Sequence, residues 1–189
     1  MLSKPVMTRE EAIALLVARD VSLLSPTQRE NVLCDWWAID AADPDYARLP
    51  DALKEMLGCI DGPADPSLPL YAPLLCIAFR HTYLGVLNSY LEDQLATLGH
   101  DEIVEGAVEV LESCPCCGYR SLHERGAYEI CKVCFWEDDG SVDNGCVSGP
   151  NHMGLREARL SFLDVGAVTE SEQQYILSDG KARYAYAGF

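Results

Sequence analysis

The chain has 189 residues, 49% of them apolar, with 30 Asp/Glu against 14 Lys/Arg and a net charge of −16 at pH 7. That length and apolar content can bury a core, while an acidic field of this size repels phosphate backbones and anionic lipid and speeds encounters with a basic protein, besides keeping the chain in solution. Acidic residues interrupt the opening "MLSKPVMTREEAIALLVARD", the apolar run 68–79 falls short of the roughly 20 residues of a membrane span, and nine cysteines are an odd set without a leader, so a cytoplasmic protein without a disulfide framework is expected.

The first hundred residues read as helices. In "TREEAIALLVARD", Ile13, Leu16 and Val17 share a face, and Thr8 with Glu11 three positions on forms a capping box. "SPTQRENVLCDWWAID" repeats the device, with Ser25 as cap, Pro26 at the first helical position and Gln28 closing the box. "LPDALKEMLGCI" reads as a short helix stopped near Gly58, followed by a loop in "DGPADPSLP". From Tyr71 to Leu98 the pattern predicts one long helix closed by Gly99.

Near residue 105 the texture changes to short alternation, and the expected division follows: an acidic helical domain over 1–105 and a cysteine-rich, ribbon-like domain over 106–189. Residues 1–112 carry 7 Lys/Arg against 19 Asp/Glu, and residues 113–189 carry 7 against 11. "EDDGSVDNGCVSGPN" is turn-rich. "GLREARLSFLDVGA" predicts a helix with Leu155, Ala158, Phe162 and Leu163 on one face and Gly166 at its end, a weaker helix is expected over "ESEQQYIL", and "KARYAYAGF" stays unassigned.

Between 114 and 136, "CPCCGYRSLHERGAYEICKVCFW" holds two C-x2-C pairs, Cys114/Cys117 and Cys131/Cys134, thirteen residues apart. A C-x2-C pair on a tight turn presents two thiolates about 3.7 Å apart to one metal, and zinc takes four such ligands tetrahedrally. Gly118 suits the turn after Cys117, whereas "CKVC" runs on into Phe135 and Trp136. One structural zinc on Cys114, Cys117, Cys131 and Cys134 is therefore expected. The redox reading of C-P-x-C lacks the helix that lowers an attacking thiol's pKa. A deaminase-type zinc site, suggested by His100 and Glu102, fails because Tyr119 stands where its last cysteine must be.

Cys116 is then a spare sulfur, expected as buried filler, with an exposed thiol or ligand exchange with Cys117 as the other readings. Cys34, Cys59 and Cys76 are expected in the core, and Cys146 lacks a spacing partner. His123 and His152 become ligands only if a cysteine points away. The run Glu137, Asp138, Asp139 with Asp143 does not fit a calcium loop and reads as a solvated turn. Trp36 and Trp37, adjacent on a helix that buries only one of them easily, are candidates for a contact surface.

The motifs "CPCCGYRSL", "RGAYEICKVCFWEDDG", "PN" and "LREARLSFLDVGA" closely resemble the cysteine-rich CPCC domain, a bacterial family named for its tetrapeptide. The resemblance departs in "CKVC", where many relatives have Pro after the first Cys, and in the insert carrying Cys146. It implies a small metal-binding module, with some members associated with toxin loci. The combined expectation is an α+β protein, not an enzyme, that binds a basic partner as an immunity or antitoxin-like inhibitor of a toxin. The alternative is a zinc-ribbon nucleic-acid or transcription accessory protein. Arg120, Arg125, Lys132, Arg156 and Arg159 are interrupted by carboxylates, so no continuous phosphate-tracking surface is expected.

Overall fold

In the computed structural model, residues 4–59, 61–142 and 145–188 are described. The architecture is α+β and divides into two compact units, residues 1–83 with 91–106, and residues 84–90 with 107–189. No helix among the described residues is long and apolar enough to cross a membrane.

The first unit opens with strand β1 (Val6–Thr8), which runs directly into helix α1 (Arg9–Ser22). Thr8 and Glu11 form the expected capping box, and Ala12, Ile13, Leu16 and Val17 face the interior. Helix α2 (Pro26–Trp36) starts from the Ser25–Gln28 box, and α3 (Asp51–Leu57) stops at Gly58. Around them Leu33, Leu53, Leu74 and Leu75 are wholly buried with Tyr71, each leucine contributing about 1.5–3 kcal/mol relative to exposure.

The predicted helix from Tyr71 to Leu98 is two helices, α4 (Ala72–His81) and α5 (Asn88–Ala96). The break lies at Gly85, whose φ of +70° leaves the helical region and where an added Cβ would meet Leu111 Cδ1 at 2.5 Å. The segment between the helices takes other partners: Val86 bridges Tyr184, and the Leu87 N–H donates to the Arg183 carbonyl at 2.8 Å. Gly99, with φ +86°, does end α5. Strand β2 (Ile103–Glu105) then pairs in parallel with β1.

Two antiparallel hairpin pairs form the second unit: β3 (Glu112–Ser113) with β4 (Arg120–Leu122), and β5 (Glu129–Ile130) with β6 (Glu137–Asp138). Helix α6 (Leu155–Val165) buries Leu155, Ala158 and Phe162 and ends at Gly166 in the left-handed conformation. Leu163, expected on that face, is 69% exposed because the buried stripe runs i, i+3, i+7 from Leu155. "ESEQQYIL" gives only a 3-10 turn at Glu170–Gln174, and helix α7 (Gly180–Arg183) precedes the chain end.

The acidic run is not a solvated turn. Asp138 is fully buried and accepts from Arg125 Nε at 2.7 Å and from the Gly126 N–H at 2.8 Å. Asp139 accepts from the Ser148 hydroxyl at 2.8 Å, and Asp143 lies outside the described residues. The supposed core cysteines also need correction: Cys34 and Cys59 are exposed and Cys76 is half-buried. On α2 the inward position belongs to Leu33, and the neighbouring sulfur points away from that stripe.

Candidate metal centre

Each C-x2-C pair is closed by the same backbone device. In the first knuckle the Gly118 N–H donates to the Cys114 carbonyl at 2.9 Å, and the Cys114 N–H to the Tyr119 carbonyl at 2.9 Å. In the second the Phe135 N–H donates to the Cys131 carbonyl at 2.9 Å, and the Cys131 N–H to the Trp136 carbonyl at 2.8 Å. The residue after each pair must turn left-handed, so Gly118 has φ +76° and Phe135 has φ +72°. Glycine does this without strain, whereas a phenylalanine incurs a backbone cost of about 1–2 kcal/mol. Its ring packs on Tyr175 at 5.3 Å, which helps to hold the unfavourable conformation.

The hairpins bring Cys114, Cys117, Cys131 and Cys134 together, all buried, with their sulfurs within 4.8 Å of one another. Cys114 Sγ lies 3.6 Å from Cys134 Sγ, and Cys117 Sγ lies 3.6 Å from Cys131 Sγ. A tetrahedron with zinc–sulfur bonds of about 2.3 Å has edges of about 3.8 Å, so these four thiols fit one zinc ion. Four thiolates complete its coordination and leave no position for a reactive water, which makes the site structural.

As thiols, Cys114, Cys131 and Cys134 are unequal. Burial holds Cys114 and Cys134 far above the ordinary thiol range. Burial also pushes Cys131 upward, but hydrogen bonds from Cys114, Cys117, Cys134 and Ser121 outweigh it and place Cys131 well below that range. Ser121 Oγ stands 3.1 Å from Cys131 Sγ, and the Val133 N–H points at the same sulfur at 3.4 Å. Metal binding must displace the remaining protons, so affinity weakens as pH is lowered.

The C-terminal segment braces both knuckles. The Ala187 N–H donates to the Gly118 carbonyl at 2.8 Å, Tyr119 bridges Tyr186, the Val168 N–H donates to the Cys134 carbonyl at 2.8 Å and the Leu177 N–H to the Lys132 carbonyl at 2.9 Å. Arg159 Nε reaches the Pro115 carbonyl at 2.9 Å. Sequence reasoning missed this brace, although the alternation in "RYAYA" is an extended-strand signal.

Cys116 is fully buried beside the four but outside their group, as filler requires. His123 Nδ1 pairs with Glu129 Oε1 at 2.7 Å, and His152 is exposed at φ +56°. Cys146 is exposed, and His100 Nδ1 lies 3.3 Å from Glu102 Oε2. Both tryptophans of the adjacent pair are half-buried: Trp36 packs on His81 at 4.7 Å, and Trp37 meets the edge of Tyr71 at 5.5 Å. Trp37 also lines a surface groove with Cys34, Ala38, Leu57 and Asp61.

Two short hairpins, each closed by a thiol knuckle around one site, define a zinc-ribbon-like module. Residues 112–182, from β3 into α7, match the family described as Cysteine-rich CPCC. No curated protein and no solved structure matches the chain.

Proposed function

We propose that this is a non-enzymatic, zinc-stabilised protein-binding protein whose acidic helical unit receives a basic partner, in the manner of an immunity or antitoxin-like inhibitor of a toxin. The observation that carries this reading is the disposition of charge. Each of the 7 Lys/Arg in residues 1–112 has a partner within the chain: Lys4, Arg19, Arg48, Lys54 and Arg80 pair with Asp101, Asp20, Asp45, Asp51 and Glu10, while Arg9 and Arg29 bond the carbonyls of Tyr83 and Pro66. The carboxylates outnumber them, and Glu30, Asp35, Asp40, Glu55, Asp61 and Asp93 are exposed. Such a charge excess attracts a basic protein surface and repels a nucleic acid.

Five of the 7 Lys/Arg in residues 113–189 are engaged by neighbours, Arg183 with Asp179 and Lys181 over Phe162 among them, while Arg156 is exposed. Arg120 bonds the Leu111 carbonyl, Arg125 pairs with buried Asp138, and Arg159 bonds the Pro115 carbonyl. That weighs against the zinc-ribbon nucleic-acid alternative. The likeness to a bacterial family with members associated with toxin loci supports the inhibitor form.

The test is capture of a stoichiometric partner from the native cell, followed by its association rate at rising salt. Association slows markedly as the Debye length shortens from about 10 Å at 0.1 M toward about 3 Å at 1 M, and dissociation accelerates in Trp37→Ala. Micromolar or tighter nucleic-acid binding at physiological salt, lost when Arg120, Arg125 and Lys132 are neutralised, would overturn the reading.

A further inference from the structure

A second docking feature lies at the start of the first unit. Among the described residues β1 pairs with β2 on one side only, with the register Val6 to Ile103, Met7 to Val104 and Thr8 to Glu105. In a parallel ladder alternate residues turn their backbone groups to the neighbour. The Ile103 N–H donates to the Pro5 carbonyl at 2.9 Å, which sets the phase so that Met7 faces β2 and Val6 turns its N–H and C=O outward. The Thr8 N–H on that outer edge is already taken by Glu11 Oε2 at 2.9 Å, but no hydrogen bond outside the strand pair reaches either Val6 group among the described residues.

Beside this edge is an open groove of about 550 Å³ between β1 and the outer stripe of α1, Ala14 and Leu15. Val6 is 57% exposed there, Leu15 37%, and Ile103, opposite Val6 in the sheet, 42%. Two carboxylates, Glu11 and Glu102, line the same groove. An edge strand whose outward amide and carbonyl have no partner among the described residues, an apolar floor and an acidic rim together select an occupant: an extended segment that hydrogen-bonds to the edge, sets aliphatic side chains on the floor and carries Lys or Arg toward the rim.

We propose that the groove between β1 and α1 is a strand-addition site for an extended segment of a partner protein that alternates aliphatic and basic residues. The proposal rests on the reading that the protein binds a basic partner, and it adds where and in what conformation that partner engages.

The probe is a capped eight-residue peptide alternating Val and Lys, titrated into the zinc-loaded full-length protein. Its controls are the same peptide with alternate amides N-methylated and a Val/Glu counterpart. Binding of the plain peptide should slow hydrogen exchange at the Val6 N–H and fall at least tenfold for the N-methylated peptide, for Val6→Pro, which removes the outward donor, and for Leu15→Glu. Binding that is unchanged in both variants and indifferent to N-methylation would overturn the groove while leaving an acidic partner-binding face intact. No binding of the plain peptide, or a dimer of this chain that Val6→Pro dissociates, would overturn it as well. Failure of partner capture would instead strike the underlying reading.

Discussion

Replacing Gly118 with alanine tests the coupling between the first knuckle and the chain end. Two penalties combine. Alanine at φ +76° incurs a left-handed cost of about 1–2 kcal/mol. The new Cβ would also lie 2.7 Å from the Gly188 carbonyl oxygen and 2.8 Å from Tyr186 Cε2. The exposed Tyr186 ring can swing aside, but the Gly188 carbonyl is backbone, so the segment 185–188 must move. It then weakens the Ala187-to-Gly118 hydrogen bond, about 0.5–1.5 kcal/mol, and the Tyr119–Tyr186 ring contact at 5.2 Å. The expected loss is about 3 kcal/mol, read from native-state hydrogen exchange of protected amides such as Cys114 and Cys131 in zinc-loaded protein. Gly140→Ala is the matched control: its φ is +78°, but its Cβ would meet only Gly126 Cα at 3.6 Å, an ordinary contact. It should cost about 1–2 kcal/mol. Equal losses in the two variants would refute the argument that the chain end is packed against the knuckle.

Arg125→Ala leaves Asp138 buried without its cation, and the second unit should lose about 3 kcal/mol in denaturant unfolding, toward the low end for a buried pair because Arg125 is partly exposed. Tyr184 is buried and its hydroxyl has no hydrogen-bond partner among the described residues, so Tyr184→Phe should be neutral or stabilising. Burial pushes the Tyr184 phenol up to about 12, outweighing Arg183, so the folded state holds that proton longer than the unfolded chain. The second unit should accordingly lose stability as pH rises from about 10 toward about 12. Stability curves against pH for wild type and Tyr184→Phe should diverge there and nowhere lower. At the metal site, Cys131→Ser should lose zinc and unfold residues 114–136, whereas the exposed Cys34→Ser should keep both; equal metal loss in the two would contradict the ligand set.

Local devices were legible in the sequence because they depend on residues three or four apart. The Thr8–Glu11 and Ser25–Gln28 boxes and the Gly58, Gly99 and Gly166 helix ends are of this kind. The four thiols were legible for a related reason, since metal geometry permits few spacings. What escaped notice depends on distant partners. Gly85 sits within an otherwise helical pattern, and only Leu111, Arg183 and Tyr184 show why the chain leaves the helix there. Phe135 carries no local signal for φ +72°; the knuckle imposes it. Asp138 reads as one more surface carboxylate until Arg125, thirteen residues earlier, encloses it. Cys34 illustrates the converse error, because an apolar residue beside a buried one on a helix is turned about 100° away from it.

The most direct test of the central claim is native mass spectrometry of the full chain, purified without added zinc, beside the Cys131→Ser variant. The account predicts one zinc per wild-type chain held by Cys114, Cys117, Cys131 and Cys134, and none in the variant. A fully folded wild-type chain without metal, or a variant that keeps its full equivalent, would contradict it.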